Sequence, residues 1–232
     1  MSLKVSKVAS VHMALRRAIV EQAIEPGAKL PEDAIGEQFG VSRTIVRRAL
    51  EQLAADELVE IRPNRGASVV CPTIEEARDL FQVRIDLEDV IAGRICGRLS
   101  PTQIGLLEKS VALEEAAHRE KRGDYIRLSA EFHVLLADFT GSPLLARYMR
   151  QLAWRSALVL RLYGRPEWES CNLHEHRDLI KALASGNVEA CRQLMKSHLE
   201  SVLTRSLDGE KIPDDPSLKN VLKRYANQET LD

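Results

Sequence analysis

One amphipathic segment constrains this chain more than any other feature. Gly40-Val41-Ser42-Arg43-Thr44-Ile45-Val46-Arg47-Arg48-Ala49-Leu50 lacks strand alternation. At about 100° per residue, Ile45, Val46, Ala49, Leu50 and Leu53 share one side of a helix, and Arg43, Thr44, Arg47, Arg48 and Glu51 take the other. Ser42 stands where a hydroxyl can cap the first orphan amides, and Gly40 permits a tight bend after an earlier helix over 32–39. This predicts a helix-turn-helix whose second helix packs by one face and presents arginines on the other. An ordinary solvated arginine face, with Glu51 as partner, is the plain alternative.

The next residues favour the first reading. Leu58-Val59-Glu60-Ile61 and Ala67-Ser68-Val69-Val70 are short strand-like runs around a turn-rich tip, Arg62-Pro63-Asn64-Arg65-Gly66. A two-stranded wing after a helix-turn-helix predicts a winged helix, and its natural partner is double-stranded DNA. Arg43 and Arg47 can fork a guanine or grip phosphate, and the Thr44 methyl can touch thymine. Arg62, Arg65 and Gly66 at the tip can approach the sugar-phosphate backbone or the minor groove.

Charge sets a condition on that reading. The 232 residues carry 33 Lys and Arg against 34 Asp and Glu, a formal net charge of −1, so attraction to a polyanion must come from a local patch. The cysteines, Cys71, Cys96, Cys171 and Cys191, form no C-x-x-C pair and read as small buried hydrophobes rather than a metal knuckle. The start, Met1 to Lys7, lacks the apolar core of a signal peptide, and no run approaches a membrane span. A cytoplasmic protein is expected.

Pro72 ends the wing, and Thr73-Ile74-Glu75-Glu76 has capping-box spacing, so a winged-helix domain over 1–72 is followed by a second domain over 73–207. That domain reads as an all-α bundle of about six helices, over 74–99, 101–121, 124–140, 143–162, 173–185 and 187–207, with Ser100-Pro101 and Ser142-Pro143 as helix starts. Residues 208–232 read as a C-terminal tail with a short helix around 217–227. The fold class is mainly α with one small β-hairpin.

Within the bundle, His133, His176 and His198 fall on three different expected helices, each beside apolar positions. Three imidazoles in one bundle can converge on a metal, whereas a lone histidine on an apolar face is usually a hydrogen-bonded core residue. His174, about 200° from His176 on a helix, reads as exposed, and His12 and His118 carry no site signal.

The residues also carry a family resemblance. Gly27-Ala28-Lys29-Leu30-Pro31-Glu32, Phe39-Gly40-Val41-Ser42-Arg43-Thr44, Val46-Arg47-Arg48-Ala49-Leu50-Glu51-Gln52-Leu53 and Arg65-Gly66-Ala67 resemble the DNA-binding domain of GntR-family transcription regulators over about residues 8 to 70. The resemblance implies that Arg43, Thr44 and Arg47 contact operator DNA with the wing Gly66; Ser42, Arg48 and Arg65 complete the expected contact set. Two positions depart from the family pattern. Asp33 lies where some relatives have a DNA-contacting arginine, and Arg48 where glutamate is common.

Phe132-His133-x-x-Leu136 before Gly141-Ser142-Pro143-Leu144-Leu145, Glu175-His176-x-x-Leu179-Ile180, and Met195-x-x-His198-Leu199 resemble the FadR-type effector-binding domain of that family, called FCD. Many such domains hold a metal with three histidines and an aspartate. The histidines match His133, His176 and His198, but the aspartate position, one turn before the first histidine, is Ser129. A neutral hydroxyl weakens a site for a divalent metal of zinc or nickel type without abolishing it, since three imidazoles plus water form an open zinc environment.

The resemblance then implies a homodimeric, effector-responsive regulator, a repressor by preference, on an inverted-repeat operator. The effector would be a small carboxylate, with Arg84, Arg155 and Arg161 as candidate binding residues. For Arg84, a surface pair with Glu88 four residues on is the plain alternative. No enzymatic activity is expected. The competing readings are a metal-dependent hydrolase, with Glu131 or Glu175 as general base and an appended nucleic-acid-binding module, and an architectural module that binds another protein.

Overall fold

The computed structural model describes residues 6–164, 173–207 and 218–228. Two compact units divide the chain: Met1–Pro72 with Ile212–Asp232, and Thr73–Lys211. The first contains α1 (Lys7–Val20), α2 (Glu32–Phe39), α3 (Arg43–Ala55), β1 (Val59–Arg62), β2 (Gly66–Val69) and α10 (Leu218–Gln228). The second contains α4 (Ile74–Ile95), α5 (Pro101–Arg119), α6 (Tyr125–Phe139), α7 (Pro143–Tyr163), α8 (Leu173–Ser185) and α9 (Val188–Leu207).

In the first unit the helical period of α3 decides its placement. Val46, Ala49, Leu50 and Leu53 are buried and Ile45 is half-buried against α1 and α2, each large side chain contributing about 2 kcal/mol. Gly40 ends α2 at φ 61°, a left-handed conformation that a side chain would strain. Ser42 occupies the N-cap of α3 but its hydroxyl makes no cap bond; the Ser42 carbonyl accepts from Ile45 and Val46 instead. The expected side-chain cap is therefore replaced by the backbone alone.

The hairpin pairs Val59 with Val69 and Arg62 with Gly66, one residue later at its start and one earlier at its end than the sequence suggests. The outer edge of β2 is closed by the segment before α2: Leu30 N–H donates to Ala67 O and Val69 N–H to Ala28 O, both at 2.9 Å. Two helices of this unit extend the expected motif. α1 precedes that motif and buries Val11, Leu15, Ala18 and Ile19, which repeat at helical spacing. α10 is not a separate tail, because Val221, Leu222 and Tyr225 on one side of it are buried and it packs on α1 and α2. The Tyr225 hydroxyl donates to Glu21 Oε2 at 2.6 Å, while Arg17 Nε donates to Glu21 Oε1 at 2.8 Å.

The second unit is the expected bundle of six helices, begun by the expected caps. Thr73 and Glu76, and Ser100 and Gln103, form reciprocal capping boxes, and Pro101 and Pro143 open α5 and α7. α4 stops at Ile95 rather than 99, because Cys96 leaves the helical region and Gly97 turns at φ 69°. The Gly97 N–H then donates to Leu183 O at 2.8 Å, and a Cβ on Gly97 would stand 2.9 Å from the Gly186 Cα, so these two backbones touch. Ile91, Leu107, Phe132, Leu136, Met149, Leu183 and Leu199 centre the core. Cys96 and Cys191 are buried there, and burial with the Cys96 thiol pushes Cys191 up to about 12. Cys71 is exposed, contrary to expectation, because it follows the end of β2 at the surface; Cys171 lies outside the described residues.

Candidate functional site

The first candidate surface is the outer face of α3 with the wing. Ser42, Arg43, Thr44, Arg47 and Arg48 are all exposed. Two of these arginines are held by carboxylates from the first turn of α2. Arg47 donates through Nε and Nη2 to the two oxygens of Glu32 at 2.9 and 3.0 Å. Arg43 donates through Nη2 to Asp33 Oδ2 at 2.6 Å and through Nε to Asp33 Oδ1. The hydrogen bond from Arg47 holds the Glu32 carboxyl below the usual carboxylate range. Among the described residues, Arg48 and Arg65 have no ion-pair partner, whereas Arg62 pairs with Glu60 on its own strand at 2.9 Å. Lys29, Arg62, Asn64, Arg65 and Gly66 border an open recess of about 530 Å³ beside the wing tip. The charge of the wing is thus local and positive, as the near-neutral chain requires.

The second candidate is inside the bundle. His133 of α6, His176 of α8 and His198 of α9 are 2%, 0% and 4% exposed, and one ring nitrogen from each lies within 4.8 Å of the others. Their ring centroids are 4.9 to 5.3 Å apart, and Phe132 stacks on His176 at 4.3 Å. Each Nδ1 is taken by a glutamate: His133 by Glu88 of α4 at 2.5 Å, His176 by Glu114 of α5 at 2.7 Å, and His198 by Glu175 of α8 at 2.6 Å. A carboxylate accepts, so Nδ1 carries the proton and Nε2 is the nitrogen left to ligate. The His176 Nε2 is buried and has no hydrogen-bond partner.

Electrostatics agree with that assignment. Burial pushes His133 down to about 3, against the raising effect of Glu88, and burial also lowers His198. Burial alone would raise Glu88, but His133 and Arg84 outweigh it and bring that carboxyl down to about 2. For Glu175, hydrogen bonds from His198 and Arg205 likewise outweigh burial and hold it below the usual range. Glu88 and Glu175 are therefore ionised behind the imidazoles of His133 and His198, which resist protonation.

Several sequence assignments change here. Arg84 does pair with Glu88, Nε to Oε1 at 2.6 Å, but the pair is no surface feature: the side chains are 6% and 1% exposed, and Glu88 continues to His133. Glu175, the candidate general base of the hydrolase reading, is bonded to His198 on the neighbouring helix. Glu131 is exposed and paired with Arg127 at 2.8 Å. Ser129 is half-buried on α6 one turn before His133. Arg155 and Arg161 are half-buried on α7. His174 is exposed as expected, and His12 bonds Asp56 at 2.9 Å. Glu88 and Glu114 were not picked out as site residues, although each had a sequence signal: a carboxylate where an apolar helix face should continue. Glu114 follows Leu107 and Val111 at helical spacing, and Glu88 sits between Ile85 and Ile91.

Comparison with known proteins places each of the two units in a known domain family. The family model described as bacterial regulatory proteins, gntR family, matches residues 7–69, and the FCD domain model matches residues 79–201. The HTH-type transcriptional repressor RspR of Escherichia coli K12 is 29% identical over 202 residues, covering 83% of this chain and 85% of that protein. The Uxu operon transcriptional regulator of the same strain is 28% identical over 231 residues, covering 86% of each. Among solved structures, a GntR transcriptional regulator from Rhodococcus sp. RHA1 superposes with a TM-score of 0.79 at 27% identity, covering 89% of this chain and 100% of that one.

Proposed function

This chain belongs to the gntR family of bacterial regulatory proteins, with an FCD domain after its winged helix, and from that premise we propose a dimeric repressor released by a small anionic effector. The relatives are regulators rather than enzymes, which sets aside the hydrolase reading. Against that reading too, Glu175 is bonded to a histidine, and Glu131 is exposed and bonded to Arg127.

The observation that carries the sensing role is the set of three imidazoles whose Nδ1 atoms are each tied to a glutamate. Three buried imidazoles with one nitrogen of each within 4.8 Å of the others, and the His176 Nε2 buried without any partner, fit a divalent cation of zinc or nickel type. His133, His176 and His198 would hold it, with Ser129 contributing no charge. When bound, such an ion supplies an electrophilic open position, which suits the carboxylate of an organic or sugar acid. Arg84, next to this cluster through Glu88, adds positive charge on the same side; Arg155 and Arg161 are further candidates for effector contact.

On the DNA side, Ser42, Arg43, Thr44, Arg47 and Arg48 would enter the major groove, and Arg65 and Gly66 the flanking backbone or minor groove. Two copies related by a two-fold axis would read an inverted repeat in the cytoplasm. An effector that prefers one arrangement of the reading heads shifts operator affinity by its differential affinity for the two arrangements. RspR carries the name of repressor, which supports that sign here.

Footprinting over the neighbouring promoter, with and without small carboxylic acids, tests the proposal. Protection of an inverted repeat that is lost with one acid is the expected result. Arg43→Ala and Arg47→Ala should each weaken binding by roughly 10- to 100-fold, and Arg78→Ala, on the exposed side of α4, should leave it unchanged. Equal losses at all three positions would refute the assigned reading helix.

A further inference from the structure

Arg43 and Arg47 stand one turn apart on α3, and each is gripped along the same edge, Nε and Nη2, by one of the first two residues of α2. Exposed ion pairs of this kind contribute about 0 to 1 kcal/mol, so fold stability does not account for two parallel forks. Geometry does. A guanidinium has five N–H donors in one plane. Once a carboxylate holds the Nε and Nη2 edge, the end-on edge of Nη1 and Nη2 still offers two parallel N–H groups, which match O6 and N7 of guanine.

We propose that Asp33 and Glu32 are specificity-determining positioning residues that aim Arg43 and Arg47 end-on at guanine bases in the operator. This rests on α3 being the major-groove helix. The carboxylates prepay the ordering of two long side chains before DNA arrives. They also cancel the charge of both arginines, so non-specific attraction falls to Arg48, Arg65 and Lys29, all exposed and without an ion-pair partner among the described residues. Asp33 thus acts on DNA indirectly, through Arg43, and base discrimination gains where phosphate grip is lost.

Selection from a random duplex pool with the full chain supplies the reference site. Wild type, Asp33→Asn, Glu32→Gln and the control Glu37→Gln, an exposed carboxylate of the same helix, are then titrated with the selected duplex and a scrambled one over a range of salt. Asp33→Asn and Glu32→Gln should each lower the ratio of selected to scrambled affinity about tenfold and steepen the salt dependence by about one phosphate contact. Guanines should recede from a repeated selection with the double variant, and Glu37→Gln should match wild type in ratio. An unchanged ratio, or affinities for both duplexes rising by the same factor, overturns the proposal, the latter showing that the carboxylates only mask the arginines. A wild-type chain that enriches no sequence overturns the DNA reading itself, a distinct result.

Discussion

His176 Nδ1 and Glu114 Oε2 lie 2.7 Å apart between α8 and α5, both side chains buried, and this bond leaves the remaining nitrogen of the ring, Nε2, buried and without a partner in a ring packed against those of His133 and His198. The tautomer of the ring is thereby set by a residue 62 positions earlier in the chain.

Glu114→Gln keeps the shape but can turn its amide N–H₂ toward Nδ1 and invert the tautomer. Zinc affinity measured by competition with a chromophoric chelator should fall about 10- to 100-fold, and in His176→Ala it should fall further. Equal zinc affinity in wild type and Glu114→Gln would show that the bond has no part in ligation.

Ser129→Asp adds a negative charge one turn before His133. Zinc affinity should rise by about tenfold, while the affinity of the zinc-loaded protein for small carboxylates should drop, since the added charge repels an anion and takes the open position. Calorimetry with zinc, then with the acid found by footprinting, reads both effects.

Acid should destabilise the metal-free protein early. His133 is lowered from 6.5 to about 3 in the fold, so between these values the unfolded chain binds a proton that the folded one does not. Stability is then full above pH 6.5 and declines as pH falls, by about 1.4 kcal/mol per pH unit for this one proton. Glu88, lowered from 4.5 to about 2, adds loss of the same sign below pH 4.5. Urea midpoints measured in chelator from pH 7.5 to 4 should show the decline, and His133→Asn should flatten its upper part.

Tyr225→Phe removes the hydroxyl that donates to Glu21, a bond to a charged acceptor, and should destabilise the winged-helix unit by about 1.5 to 3 kcal/mol. Hydrogen exchange of α1 and α2 amides is the direct reading, and unchanged protection there would mean α10 contributes no stability to this unit.

The reading helix was legible because Val46, Ala49, Leu50 and Leu53 repeat at the helical period and the arginines fall between them, and the bundle helices because Thr73, Ser100-Pro101 and Ser142-Pro143 are chemical start signals. The three histidines were legible as apolar-face imidazoles. Their glutamates were harder, since Glu88 and Glu114 meet a histidine 45 and 62 residues away, and such pairings depend on which helices become neighbours. Arg84 was placed on its helix correctly and its burial missed for the same reason. The pairing of Asp33 with Arg43 depended on the angle between α2 and α3, which the Gly40 turn sets and no periodicity reveals.

Because α10 packs on α1 and α2, the residues of the bundle, Thr73–Lys211, lie in sequence between two parts of one other unit. A unit interrupted in this way is completed only after the inserted residues have been synthesised, so α10 can add its buried Val221, Leu222 and Tyr225 to α1 and α2 only after the bundle has been made.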